Sequence, residues 1–279
     1  MKTNRILTLA VLCLFAGSIY SCSKDKNVAE TPTPNQEELS ASTLSKIKAQ
    51  GFSTENARKI EGGYLVEGDI LLTDENLNEK STSPNLLIAK AEQYRTTNLV
   101  TSLPQVITIS VSNLPQVYHD ATNIMISRYN ALGLSLTFQL ATTGTTGKIK
   151  IVGFNEGPSG GFITLGSAGF PTSTGKPFNQ IRMNTNPAAY GTNPNLNYLA
   201  SVIQHEVGHC IGLRHTDYMN RAYSCGSAGA GNEGQAGVGA IHIPGTPTGP
   251  DSGSFMLACS NGGNRTFNAN DIIALNYLY

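Results

Sequence analysis

Residues 205 to 215 read HEVGHCIGLRH, so three of the chain's five histidines fall within eleven positions. That crowding restricts what this part of the chain can be. His205 and His209 are four apart, and on an α-helix such residues stand one above the other on one face. Two imidazoles so placed can share a metal ion. Gly212 can take a positive φ, which ends the helix and turns the chain sharply. The turn lets His215 approach as a third ligand. Glu206, beside the first histidine, reaches a water at the metal rather than the metal itself. Three protein ligands leave one tetrahedral position open, as in catalytic rather than structural zinc sites. Zinc lowers the pKa of water held there towards about 7, and a carboxylate can take its proton as it attacks a carbonyl. The plainer reading is a polar helix face with a capping glycine, and it leaves the agreement of five residues over eleven positions to chance.

The surrounding sequence predicts a mixed α+β domain. "VITISV" (106–111) alternates with period two, as a strand does. "LPQVYHDATNIMISRYNAL" has helical apolar spacing and stops at Gly133. "LSLTFQLA" and "KIKIVGF" read as strands on either side of the turn-rich "TTGTTG". "GGFITLGSAGFP" and "NQIRMN" read as two more. A helix from about Asn195 to Leu213 carries the histidines. Residues 226 to 253 are rich in Gly and Pro and read as irregular, and "NANDIIALNYLY" closes the chain as a helix capped by Asn268 or Asn270. Upstream, "LSASTLSKIKAQGF" predicts a serine-capped helix, "GGYLVEGDILLT" an interrupted strand, and "SPNLLIAKAEQYR" another helix. A boundary near residue 100 separates a region of 38–100 from a catalytic domain of 101–279.

H-E-x-x-H-x-x-G-x-x-H, carried by His205, Glu206, His209, Gly212 and His215, resembles the metzincin zinc-peptidase signature. The resemblance implies Zn2+ on the three histidines, Glu206 as general base, and a methionine turn beneath the metal, for which "GSFMLA" supplies Met256. It also implies a mixed, mostly parallel twisted sheet, two long helices including the zinc-binding one, and an irregular C-terminal subdomain with a final helix. More narrowly, "HEVGHCIGLRHTDY", "YSCG", "AGVGAIHIPGTPTGPD" and "FNANDIIALNYLY" look like the dual-action HEIGH metallopeptidases, often bacterial lipoproteins, over most of residues 60 to 279. Val207 replaces the isoleucine of the family name. "GSAGFPTSTGKPFNQIRMN" is similar to the matrix-metalloproteinase edge-strand segment, which implies that part of 161–168 pairs with an extended substrate. By the same likeness, 242–256 walls the pocket for a substrate side chain. Asp217 would anchor the turn after His215, and Tyr218 or Tyr223 would stabilise an oxyanion. His119 reads as a surface or packed residue, and His242 is a candidate for specificity.

"VEGDI" (66–70) is similar to the F-x-G-D motif of astacin propeptides, with Val66 in place of phenylalanine. That likeness implies latency, with Asp69 in the open metal position and activation by a cut somewhere in 90–104, where Arg95 is available. Read from residue types alone, Glu67-Gly68-Asp69 is a hairpin turn.

The N-terminus sets the expected compartment. Lys2 and Arg5 precede the apolar "ILTLAVLCLFAGSIY", which describes a signal peptide over 1–21. "SIYSC" before "SKDKN" resembles a lipobox, with Cys22 lipidated and 22–37 as a polar tether; ordinary signal cleavage is the alternative. Cys210, Cys225 and Cys259 then allow three pairings in an oxidising compartment. Cys225–Cys259 is favoured because Cys210 sits on the metal helix and can simply be buried there. With 19 basic and 19 acidic residues, nothing supplies a nucleic-acid footprint.

The expectation is a monomeric, exported zinc endopeptidase acting on polypeptides, made as a latent precursor and attached to the cell envelope through lipid alone. The rival is a non-catalytic surface lipoprotein that binds peptides or glycans and keeps a structural zinc. It leaves Glu206 without a task.

Overall fold

Ser40 opens helix α1 (Ala41–Ala49), its hydroxyl accepting from the Thr43 amide as the sequence predicts. The computed structural model describes residues 38–78, 93–159, 161–226, 233–234, 239–247 and 249–279, all within one unit spanning 36–279. The signal stretch, Cys22 and most of the helix predicted at "SPNLLIAKAEQYR" lie outside the described residues. After α1 come β1 (Arg58–Ile60), β2 (Gly63–Val66), β3 (Ile70–Leu72), α2 (Asp74–Asn78) and β4 (Tyr94–Arg95). Then follow β5 (Gln105–Ser112), α3 (Gln116–Asn130), β6 (Leu136–Leu140), β7 (Ile149–Phe154), β8 (Gly166–Ala168) and β9 (Gln180–Asn184). The chain ends through α4 (Pro187–Tyr190), α5 (Leu196–Cys210), α6 (Ala222–Cys225), β10 (Ile241–His242) and α7 (Ala269–Leu278).

The result is the predicted α+β architecture, built on an eight-stranded sheet in the order β1-β2-β3-β8-β9-β7-β5-β6. Strands β6, β5, β7 and β9 run parallel, and β8 is antiparallel to β9. The alternation read in "VITISV" buries Ile107 and Ile109 completely. Helix α3 buries Tyr118, Ala121, Met125 and Tyr129 at helical spacing, and Gly133 beyond it has φ +68°. The Tyr129 hydroxyl donates to the Gln204 carbonyl of α5 at 3.0 Å, joining the two long helices. Every residue of α5 from Leu199 to Cys210 is buried, so this helix lies inside the molecule with its polar side chains enclosed. Among the described residues no helix is long and apolar enough to cross a membrane.

Several local expectations change. Helix α5 stops at Cys210 rather than near Leu213. Gly212, at φ +109°, donates to the His209 carbonyl, and Leu213 donates to that of Gly208, the paired bonds of a Schellman ending. Asn268, not Asn270, caps α7, in a reciprocal capping box with Asp271. Among the described residues of "GGFITLGSAGFP", only Gly166–Ala168 forms a strand of the sheet. The glycine-rich stretch after 226 is not wholly irregular, since Ile241–His242 pairs with Tyr94–Arg95.

That last pairing also replaces helix with strand at Tyr94–Arg95. Arg95 bridges Leu213, the Arg214 amide donates to the Tyr94 carbonyl, and Ile243 donates to Gln93. Tertiary pairing overrides the local helical pattern here. The Gln93 side chain donates to Ser254 at 3.0 Å and Asp271 at 2.8 Å, and Val100 donates to the Tyr279 hydroxyl at 3.2 Å. Gln93 and Val100 are thus both tied to the C-terminal segment, and the chain's strands on either side of them share one unit. Arg95, expected to be open to an activating cut, is paired on both backbone sides.

Candidate metal centre

His205 and His209 project from one face of α5, and the Schellman turn brings His215 back to them. Each imidazole is fixed from behind at Nδ1. His205 donates to the Phe255 carbonyl at 2.8 Å, His209 to the Leu213 carbonyl at 2.9 Å, and His215 to the Glu233 carboxylate. All three partners accept only, so the proton of each neutral ring sits on Nδ1 and the lone pair on Nε2. The Nε2 atoms converge, at 3.0, 3.1 and 3.3 Å from one another. Two vertices of a tetrahedron with zinc–nitrogen bonds of about 2.0–2.1 Å lie about 3.3 Å apart. The three nitrogens thus fit a tetrahedral metal, while bare lone pairs so placed would repel.

Asp69 supplies the fourth vertex. Its Oδ2 lies 2.9 Å from His215 Nε2, 3.4 Å from His205 Nε2 and 3.9 Å from His209 Nε2. The four donor atoms all fall within 4.8 Å of one another. Residues 67–69 are the turn of the β2–β3 hairpin, as the residue types alone imply, and the turn places the Asp69 side chain among the three histidines. The turn is tight, with Glu67 at φ +53° and Gly68 at +93°.

Electrostatics follows from this enclosure. Burial alone raises Asp69, but when a proton rather than a metal cation sits among the Nε2 atoms, the His215 charge and hydrogen bonds from the imidazoles outweigh it and hold the carboxyl well below its usual range. Burial pushes His209 down to about 4, keeping its lone pair free. His215 is pushed well up despite burial, because Asp69 and Glu233 face it from both sides. A position that favours positive charge so strongly suits a cation. Glu206 is raised well above the carboxylate range by burial and then by the Asp69 charge. Its Oε2 and Asp69 Oδ1 are buried without a hydrogen-bond partner among the described residues. Both are what a site built for a metal and a water leaves open.

Two glycines are set by this packing. A Cβ on Gly166 of β8 would stand 2.6 Å from Glu206 Oε1, so the strand backbone passes directly over the carboxylate. A Cβ on Gly208 would meet Met256 Sδ at 2.5 Å and Phe255 at 3.0 Å. Met256, fully buried, therefore lies against the metal helix one residue from His209, and its carbonyl accepts from Thr216. Gly208→Ala is expected to cost about 1–3 kcal/mol through overpacking. Denaturant unfolding checks this; an unchanged midpoint would show that Met256 yields freely.

Asp217 is buried, accepting from the Ala258 amide at 2.9 Å and the Ser224 hydroxyl at 2.5 Å. It ties the turn after His215 to the segment following Met256. Cys225 and Cys259 are disulfide-bonded beside it, and Cys210 is free and buried. The cleft beside Glu206, about 850 Å³, is lined by Phe162, Val202, Leu257 and Arg265, with Asp69 on the upstream side. Neither oxyanion candidate lines it: Tyr218 is buried edge-on against Tyr94 at 4.4 Å, and Tyr223 is exposed. His242 bonds Thr246 at 3.0 Å instead of facing the cleft, and His119 is half-buried on α3.

Sequence reading missed the residues behind His215. Glu233 Oε2 lies 3.1 Å from Arg214 Nη2, which lies 3.1 Å from Glu67 Oε2, and all three side chains are buried. Burial pushes Glu233 up, but His215, Arg214 and Arg221 outweigh it and hold it at about 2. Burial and the Glu233 charge raise Glu67 to about 7, against the pull of Arg214. Arg214 lies inside the histidine motif and was the one available signal, since a buried arginine needs carboxylates.

No curated protein matches the chain. Among solved structures it is similar to myroilysin, at 14% identity and TM-score 0.42 over 66% of this chain and 96% of that one. A second myroilysin structure gives 14% identity and TM-score 0.39 over 87% and 99%. High choriolytic enzyme 1, a hatching-enzyme zinc-protease from Oryzias latipes (medaka fish), gives 14% identity and TM-score 0.39 over 65% and 92%. The family model for dual-action HEIGH metallo-peptidases matches residues 64–279, from β2 through the whole centre to the last residue. The chain belongs to the dual-action HEIGH metallo-peptidase family.

Proposed function

We propose that this metallopeptidase is a zinc-dependent endopeptidase of the metzincin type, made latent and exported as a lipoprotein. One observation carries the reading: three Nε2 lone pairs converge at tetrahedral spacing, with a carboxylate at the fourth vertex and Glu206 alongside. His205, His209 and His215 would hold the zinc. Bound there, the ion would act as a Lewis acid and would make water acidic enough to attack a carbonyl near neutral pH. Glu206 takes the proton from the attacking water and passes it to the amine that leaves, so the peptide bond breaks without a covalent enzyme intermediate. The edge of β8 offers its backbone to an extended polypeptide.

Latency has two supports. Asp69 stands where water and substrate must enter. Strand β3 also takes the β8 edge, in parallel, with the Ala168 amide donating to the Asp69 carbonyl at 3.0 Å. An activating cut on the N-terminal side of Gln93 leaves β4 in its place. Attachment to the cell envelope through Cys22 is part of the same proposal and rests on the N-terminal sequence.

Full-length protein carrying Asp69→Ala, loaded with zinc, should hydrolyse unfolded casein. Removing the metal with a chelator should lower the rate by at least about 10³-fold, since a bound metal supplies several kcal/mol of transition-state stabilisation. Zinc should restore it. Hydrolysis indifferent to the chelator would overturn the reading.

A further inference from the structure

Two of the three histidines are steadied by backbone carbonyls, Phe255 behind His205 and Leu213 behind His209. His215 is different. It lies past the end of α5, on a turn, and its Nδ1 donates to a side chain, the carboxylate of Glu233. Glu233 is itself held from several directions. Its amide donates to the Tyr218 carbonyl at 2.9 Å, its Oε2 meets Arg214 at 3.1 Å, and its Oε1 lies 3.5 Å from Arg221 Nε. Arg214 is in turn fixed by the carbonyls of Gly234 at 2.9 Å and Gly239 at 3.1 Å. A carboxylate behind a ligating imidazole fixes its tautomer and orientation and makes Nε2 a stronger donor.

Building on the zinc reading above, we propose that Glu233 is the positioning residue of His215 and sets how tightly the centre retains its metal. His205 and His209 share a rigid helix and need only a carbonyl to select the ring face. His215 has no helix behind it, so its aim depends on the carboxylate and on the two arginines that hold that carboxylate. Glu233 touches neither metal nor substrate and acts only through the imidazole.

The test compares zinc retention in full-length native protein, Glu233→Gln and Glu233→Ala, by competition with a chromophoric chelator. Loss of such a partner typically weakens metal binding by about 10–100-fold. Glu233→Ala is expected in that range. Glu233→Gln keeps an acceptor oxygen for Nδ1, so it should fall between alanine and native. The visible spectrum of the cobalt-substituted protein should shift in both variants, because a turned imidazole changes the ligand field. Thermal unfolding of the metal-free forms separates a merely structural role. A lower midpoint with unchanged zinc retention and cobalt spectrum would overturn the proposal. If Glu233→Ala fails to fold, Glu233→Gln decides alone: retention equal to native overturns the proposal. Failure of the native chain to retain zinc would instead sink the metal reading on which this one rests.

Discussion

Glu206→Ala, made in the Asp69→Ala background, is expected to keep its zinc and lose hydrolysis of unfolded casein by about 10²–10⁴-fold, the usual contribution of a positioned general base. The geometry separates the two roles. Glu206 is absent from the group of converging donors and lies beside it, under the backbone of Gly166. Removing its carboxylate leaves all three imidazoles and their Nδ1 partners untouched. Zinc content measured beside the rate distinguishes loss of base from loss of metal. Glu206→Gln should behave like the alanine variant, because an amide fills the space but accepts no proton. Full activity in either variant at equal zinc content would remove Glu206 from the mechanism.

Asp69→Ala in the full-length chain is expected to raise peptidase activity by about 10–150-fold. Hydrogen bonds to charged groups are worth about 1.5–3 kcal/mol, and each 1.4 kcal/mol is a factor of about ten. Alanine removes the carboxylate from the fourth vertex but leaves β3 on the β8 edge, so release should be partial. Asp69→Asn, which keeps an oxygen without the charge, should rise less. Asp74→Ala serves as the control: Asp74 belongs to the same upstream region but touches the Tyr64 hydroxyl at 3.2 Å, far from the histidines in its contacts. Unchanged activity of Asp69→Ala with the upstream region intact would refute latency.

The parts of this molecule that were legible in sequence are those whose physics is local. Histidines four apart, a glycine able to take positive φ, and a period-two run each declare their geometry within a few residues. Met256 and Asp69 needed more, a likeness to known motifs, since nothing near either residue implies what it will face. The two-residue strand at Tyr94–Arg95 was misread because its conformation is decided by Leu213, Ile241 and Ile243, far along the chain. Glu233 was invisible for the same reason. It sits in "GAGNEGQAG", which has no periodicity, and its partners His215 and Arg214 are met only after folding. Gly166 and Gly208 likewise stood out in no way from other strand and helix glycines until the atoms opposite them were known.

If Asp69 holds the enzyme latent as proposed, the unbroken chain between β3 and β4 decides how the centre is released. While the two are joined, Asp69 and β3 are presented to the cleft at a local concentration that short tethers hold in the millimolar range. A cut between them leaves the contacts of Asp69 and of β3 with β8 as they are. It changes only how often the segment returns once it has left, because the freed piece then competes at its bulk concentration. If that is micromolar, occupancy of the same contacts is opposed by about a thousandfold dilution. On the latency proposed above, release would then be governed by volume: the severed segment would remain an inhibitor in a confined space and cease to be one in an open space.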